Sequence, residues 1–192
     1  MNPLTLAPPA AAATLRRRAC LYGAGAALAL ALPGCASPGV AEYASERPLL
    51  DLRAYFNGRV TAHGIFTGRT GNVVRRFRVT MDCTWQGDAG TFEEDFEYSD
   101  GEHQRRVWRV QRHASGRYSG TAADVVGEAQ GQAAGNAFNW RYTLALPVGG
   151  RVYEVQFDDW MYLMDERTLL NRAVMSKFGV RLGELTLAFT KG

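Results

Sequence analysis

The chain has 192 residues, of which 46% are hydrophobic and 21% charged, and its formal net charge at pH 7 is +3. Three consecutive arginines at 16–18 account for this excess, so the rest of the chain is balanced and no nucleic-acid partner is expected. Of the three cysteines, Cys20 and Cys35 lie near the N-terminus, which leaves Cys83 alone and excludes a disulfide within the main domain. The three histidines are far apart in the sequence, so neither a metal site nor a cofactor is predicted.

Residues 1–34 are predicted to be a lipoprotein signal peptide. The basic run at 16–18 precedes an apolar stretch at 19–32, which is long enough for a signal sequence but short of the roughly 20 residues of a membrane-spanning helix. Residues 32–35, Leu-Pro-Gly-Cys, then resemble a lipobox, with the small Gly34 beside the cleavage point. An ordinary signal peptide with a chance cysteine is the alternative. We therefore expect lipid on Cys35 as the mature N-terminus.

The residues after Cys35 indicate where the protein resides. Stable anchoring needs more than one acyl chain, as a lipoprotein cysteine carries. Ala36 follows the cysteine, in place of the aspartate that retains many lipoproteins in the inner membrane. We therefore expect an outer-membrane lipoprotein that faces the periplasm. Residues 35–48 include Pro38, Gly39 and Pro48, and are predicted to be a flexible tether.

From residue 49 onward, apolar and polar residues alternate in the way that is typical of β-strands with one buried face. The clearest run places Phe77, Val79, Met81, Cys83 and Trp85 on one side. The same period returns at 138–146, 153–163 and 185–189. Turn-forming residues separate these runs, and Asp100-Gly101 is the strongest candidate for a two-residue hairpin. Only 49–56 has helical spacing.

These runs predict about eight to ten antiparallel strands joined by hairpins. An open meander of that length would expose two edges, and closure into a barrel removes them. The sequence therefore predicts an all-β domain at 49–192, an up-and-down barrel of the lipocalin or calycin type. An open curved sheet is the alternative. A barrel of this size can hold one small ligand.

Two acidic residues interrupt apolar strand faces. Glu94 shares a face with Phe92 and Phe96, and Asp159 lies on the apolar face of 153–163. A buried carboxylate is costly, so each is expected to pair with a cation or to be neutral. The candidate partners of Glu94 are Arg105, Arg106 and Arg109, and that of Asp159 is Arg172.

The aromatic stretch at 157–163 and the polar stretch at 171–179 together predict a ligand pocket. Its expected residues are Asp159, Trp160, Met161, Tyr162, Asn171, Arg172, Met175, Ser176 and Lys177. A barrel closed by internal ion pairs, with no ligand, is the alternative. Asp158 and Asp159 as an acid–base pair are a third interpretation, but neighbours on a strand point to opposite faces, so no catalytic residue is assigned.

Six stretches spread over the domain carry a resemblance to a known family. They lie at 50–58, 94–96, 105–108, 139–142, 157–162 and 175–179. Through them the chain resembles the bacterial lipoprotein family called domain of unknown function 3833. The resemblance implies an exported lipoprotein with a calycin-like barrel, and it implies no activity. The expected function is binding of a hydrophobic or amphipathic molecule such as a lipid or fatty acid. A structural or interaction lipoprotein with a solid core is the alternative, as is an enzyme acting on envelope lipids.

Overall fold

Ten antiparallel strands form one closed barrel in the computed structural model, which describes residues 38–192. The strands are β1 (Gly58–Gly68), β2 (Val73–Gln86), β3 (Ala89–Tyr98), β4 (His103–Arg112), β5 (Arg117–Thr121), β6 (Val125–Ala134), β7 (Ala137–Val148), β8 (Arg151–Leu163), β9 (Thr168–Lys177) and β10 (Val180–Lys191). Each strand pairs with its sequence neighbours, and β1 closes the barrel against β10. The predicted all-β, up-and-down barrel is therefore confirmed. The predicted signal peptide and Cys35 lie outside the described residues.

The alternating sequence forms these strands because the barrel has an apolar inside and a solvated outside. In β2, the side chains of Val79, Met81 and Cys83 are almost fully buried, whereas their neighbours Arg78 and Asp82 are exposed. Outward charges are used in cross-strand pairs, such as Arg78 with Glu97 on β3 at 2.9 Å. The core of the molecule is therefore the barrel interior.

A short helix, α1 (Leu52–Tyr55), covers one end of the barrel. Asp51 caps it by accepting hydrogen bonds from the backbone N–H groups of Arg53 and Ala54 at 2.8 and 3.3 Å. Trp85 at the end of β2 donates its indole N–H to the carbonyl of Phe56, at 2.7 Å. The side chains of Leu50, Leu52, Tyr55 and Phe56 are consequently buried over the core. We call this the closed end of the barrel, and the opposite end, with the β1–β2, β7–β8 and β9–β10 turns, the far end.

Residues 38–48 differ from the flexible tether that was expected, because they lie against the outside of the barrel. They contain a 3-10 helix, Val40–Tyr43. The Tyr43 ring contacts those of Trp160 and Tyr162, with centroids 5.8 and 5.4 Å away. At the β6–β7 turn, a Cβ on Gly135 would clash with the backbone carbonyl oxygen of Tyr43, so only glycine permits this approach.

Two local predictions need correction. The helical spacing at 49–56 yields a single turn of helix rather than the whole range, because residues 49–51 run along the β6–β7 turn, where Leu50 N–H donates to the Gly135 carbonyl at 2.8 Å. The β3–β4 connection has four residues, 99–102, not two, with Gly101 in the left-handed region at φ +87°. No helix among residues 38–192 is long and apolar enough to span a bilayer.

Candidate functional site

The barrel interior contains a cavity of about 120 Å³ between α1 and the middle of the strands. Its wall is mostly apolar and rich in aromatic residues, with Phe77, Phe96, Trp108, Trp140 and Phe189 contributed by five different strands. Toward the far end, a second buried cluster that includes Leu144, Val155, Phe157 and Met175 narrows the barrel. The cavity is therefore an apolar space inside the core.

Four polar side chains also line this cavity: Glu94 on β3, Arg106 on β4, Asp159 on β8 and Asn171 on β9. Each occupies an inward position in its strand. Glu94, Asp159 and Asn171 lie between apolar inward residues two positions before and after, whereas Arg106 lies between Gln104 and Trp108. A polar group at such a position has little contact with solvent and depends largely on partners within the barrel. The interior therefore combines apolar walls with a few converging polar groups, which is the usual composition of a small-molecule site.

Arg106 connects two of the interior carboxyl groups. Its Nε and Nη2 donate to Oδ2 of Asp124, in the β5–β6 turn, at 3.0 and 2.8 Å, and its Nη1 lies 3.7 Å from Oε2 of Glu94. Arg105 points outward, where it contacts Glu93 and Asp95. Arg109 is also outside, donating to the Thr91 hydroxyl at 2.9 Å. Of the three candidate partners for Glu94, Arg106 alone shares its face.

The expected pairing of Asp159 with Arg172 is wrong. Asn171, one residue earlier, points inward and donates its side-chain amide to Oδ1 of Asp159. Arg172 points outward because neighbouring residues of a strand face opposite sides, and it lies 2.7 Å from Glu184. Asp159 is therefore held by a neutral amide and has no basic partner among residues 38–192.

Burial changes the acidity of the interior carboxyl groups. Desolvation raises the pKa of Glu94 to about 7, even though Arg106 favours its ionised form. Desolvation also raises the pKa of Asp159 to about 7, against the opposing hydrogen bond from Asn171. The pKa of the Tyr142 hydroxyl is raised by burial and by the adjacent Asp159. Both carboxyl groups therefore titrate near neutral pH, as groups in functional sites often do.

The other residues of the predicted pocket lie elsewhere. Trp160 and Tyr162 face outward on β8, beneath Tyr43. Met175 belongs to the buried cluster near the far end, and Ser176 faces outward on β9. Lys177 lies at the far end, where its Nζ donates to the backbone carbonyl of Glu154 at 2.9 Å. The structure therefore brings together Asp159, Met161 and Asn171 from that prediction, with Glu94 and Arg106.

Asp158 and Asp159 lie on opposite sides of the barrel wall. Asp158 faces outward and accepts hydrogen bonds from Asn139 at 2.7 Å and Arg141 at 3.2 Å. Asp159 lines the cavity. The two carboxyl groups cannot reach one substrate atom, so this arrangement does not support an acid–base pair.

Asp124 is the functional residue that sequence reasoning missed. It lies in the β5–β6 turn, outside any strand pattern, and reaches Arg106 across 18 residues of sequence. The turn at 122–124 contains neither glycine nor proline, so Asp124 is its one turn-forming residue. The alternation of apolar and polar residues along strands therefore could not predict this long-range contact.

The fold and the cavity define a calycin-like barrel with a partly polar interior. The chain belongs to the family described as protein of unknown function (DUF3833), whose model matches residues 29–191. The resemblance seen in the sequence is thereby confirmed. No curated protein matches the chain.

Two solved structures share the fold. An S-type phycobiliprotein lyase from Guillardia theta has a TM-score of 0.56 at 5% identity, covering 81% of this chain and 98% of its own. A DUF3598-family protein of unknown function from Nostoc punctiforme has a TM-score of 0.52 at 10% identity, covering 82% of this chain and 53% of its own. At these identities the similarity shows the architecture alone.

Proposed function

We propose that this protein is a lipid-anchored barrel of the bacterial envelope that binds a small hydrophobic or amphipathic molecule in its interior. The observation that carries the proposal is the cavity itself, where aromatic walls surround Glu94, Arg106, Asp159 and Asn171. A solid structural core gains little from buried ionisable groups, which an apolar residue of similar volume often replaces at no loss of stability. Polar groups around an apolar space are what is needed to orient a ligand.

The cavity volume limits the ligand. About 120 Å³ is below the range of about 300 to 1,000 Å³ for pockets that hold drug-sized molecules. It is close to the roughly 150 Å³ of an engineered apolar cavity that binds benzene. The proposed ligand is therefore a molecule, or one end of a molecule, with about five heavy atoms inside the barrel. A long-chain fatty acid would enter only if side chains such as Met161 and Phe96 moved aside.

A structural barrel without a ligand is the second candidate, and the same small volume favours it. The interior polar groups also have partners within the protein, since Arg106 contacts Asp124 and Asn171 contacts Asp159. Binding and structural roles therefore differ in a measurable way. Only the first predicts that filling the cavity abolishes an interaction while the fold persists.

The envelope location is proposed from the lipobox at 32–35. Lipid on Cys35 would hold the barrel domain at a membrane surface, and Ala36 after the cysteine favours the outer membrane.

The location is tested by mass spectrometry of protein from bacterial membranes. We expect a tri-acylated N-terminal peptide beginning at Cys35, and release of a Cys35→Ala variant into the soluble fraction. An unmodified thiol at Cys35 would contradict the proposed lipid anchor, but it would not bear on the proposal that the barrel binds a ligand.

The binding proposal is tested by native mass spectrometry of the same material. We expect a co-purifying small molecule that is lost in Ala173→Leu, since Ala173 lines the cavity and a leucine there fills it. The matched control is Ala188→Leu on the exposed face of β10, which should keep the ligand. If the protein carried no bound molecule and took up no small amphipathic probe, the structural role would be favoured over binding.

A further inference from the structure

We propose that the cavity selects a small amine, with the ammonium group held between Glu94 and Asp159 and the hydrocarbon part against the aromatic wall. This inference rests on the proposed function, because it names the class of ligand that the same cavity takes. It departs from the expectation of a fatty acid, whose carboxylate has the opposite charge.

The balance of charge inside the barrel is acidic. Glu94, Asp124 and Asp159 are set against one guanidinium, that of Arg106, and no other basic side chain lines the cavity within residues 38–192. Asp124 accepts from two nitrogens of Arg106 at 2.8 and 3.0 Å, so this pair is mutually neutralised. Among cationic groups Glu94 has only the longer 3.7 Å contact with Arg106, beside a neutral hydrogen bond from Trp108, and Asp159 has only the neutral amide of Asn171. When fully ionised, these three carboxylates exceed the one guanidinium by two charges, so the interior lacks positive charge.

The surrounding titratable groups do not supply that charge. Arg106 on β4 and Asp124 in the β5–β6 turn act on Glu94, and Asp158 on β8 acts on Asp159. The carboxyl groups in turn act on Cys83 on β2, Tyr98 on β3 and Tyr142 on β7. Arg106 is the one base among them, and the others become neutral or negative. A carboxylate ligand would therefore meet two or three acidic groups, whereas an ammonium group would meet complementary ones.

The wall of the cavity suits the same ligand. Aromatic faces attract cations through the negative charge above the ring, and Trp and Tyr are the strongest in this respect. Trp108, Trp140 and Tyr142 line the cavity together with Glu94 and Asp159. An alkylammonium ion therefore finds carboxylates for its N–H donors and aromatic or apolar groups for its hydrocarbon part.

Binding of an amine should depend on pH in a defined direction. A cation favours the ionised carboxyl groups, so it lowers their pKa and displaces protons from them. Amine affinity should rise between about pH 5.5 and about pH 8, as Glu94 and Asp159 ionise. The affinity of an anion should fall over the same interval.

Three probes of equal shape separate the possibilities: isobutylamine, isobutanol and isobutyrate, titrated into the wild-type protein and followed by amide NMR at about pH 5.5 and about pH 8. At the higher pH we expect the amine to bind at least about tenfold more tightly than isobutyrate or isobutanol. Its own affinity should increase several-fold from the lower pH. These comparisons use only the native chain, so they do not depend on the folding of a variant.

Variants locate the effect. Glu94→Gln with Asp159→Asn should remove the preference for the amine, whereas the outward-facing pair Glu93→Gln with Asp158→Asn should keep it. Preferential binding of isobutanol or isobutyrate would overturn the amine assignment, but it would still support the proposal that the cavity binds a ligand. If none of the three probes bound, the proposed function itself would fail.

Discussion

Asn171 on β9 donates its side-chain amide to the carboxyl group of Asp159 on β8, and both side chains are buried inside the barrel. The pair joins neighbouring strands across the inner face, where Asp159 lies opposite Ala173. An amide stabilises a carboxylate less than a guanidinium does, because it brings no charge. The protein therefore holds an acid in its core whose charge is only partly compensated.

The stability of the protein should reflect this acid. The pKa of Asp159 in the folded protein is about 7, above the value of 3.8 expected when it is exposed, so the folded state retains a proton that the unfolded state loses as pH rises. The contribution of this group to stability is therefore present at about pH 4 and is lost as pH rises toward about 7, by an amount on the order of 4 kcal/mol. Urea unfolding at several pH values measures the decrease.

The Asp159→Asn variant isolates that contribution. An asparagine keeps the shape and the hydrogen bond but cannot ionise, so the decrease in unfolding free energy with pH should be smaller than in the wild type. Asp158→Asn, one residue away and facing outward, should keep the wild-type decrease. Equal pH dependence in Asp159→Asn and the wild type would show that this carboxyl group keeps its ordinary acidity.

Removal of Arg106 should be far more damaging than removal of its neighbour. Arg106→Met leaves Glu94 and Asp124 without their cation in a mostly buried site, which we expect to cost about 3–5 kcal/mol of unfolding free energy. Arg105→Met removes a surface arginine that is 56% exposed and should cost about 1 kcal/mol or less. Chemical denaturation at pH 7 compares the two, and similar losses would contradict the interior role of Arg106.

The thiol of Cys83 should be unreactive in the folded protein. Burial raises its pKa to about 12, and the nearby Glu94 and Asp82 act in the same direction. Because the thiolate is the reactive form, alkylation by iodoacetamide at pH 8 should be slow until the protein is unfolded in urea. Peptide mapping follows Cys83 specifically. Rapid, complete labelling under native conditions would mean that the β2 strand opens readily.

The attachment of residues 38–48 to the barrel can be tested at Gly135. Gly135→Ala combines a positive φ of 55° with a Cβ that meets the Tyr43 carbonyl, and it should release the segment from the barrel. Gly127→Ala is the control, because its φ is 70° but the space around it is open. The control isolates the cost of backbone strain, about 1 kcal/mol. Hydrogen exchange in 38–48 should accelerate in Gly135→Ala only.

The barrel could be predicted because the alternation of buried and exposed residues is a local property of each strand. Inward and outward residues alternate along each strand, so Phe77, Val79 and Met81 identify a buried face without knowledge of their partners. The same alternation also predicts the orientation of two of the arginines. Arg106 shares the parity of Trp108, and Arg172 has the opposite parity to Ala173, so one points inward and the other outward.

The rest of the site depends on contacts that alternation does not encode. Asp124 reaches Arg106 from a turn, and Tyr43 reaches Trp160 from a segment outside the strands. Such contacts follow from the register and curvature of the closed barrel, which the hydrophobic pattern of a single strand leaves open. The predicted pocket around Trp160 was wrong for a different reason. It combined both faces of β8, where Trp160 and Tyr162 have the opposite parity to Asp159 and Met161.

Methionine methyl groups offer the most direct test of a ligand inside the barrel. Met81 and Met161 line the cavity, whereas Met164 is 53% exposed on the β8–β9 turn. In protein labelled with ¹³C at methionine methyls, at least one of the three isobutyl probes should shift the signals of Met81 and Met161 in a saturable manner and leave Met164 unchanged. Shifts confined to Met164, or none that saturate at Met81 and Met161, would contradict binding in the interior.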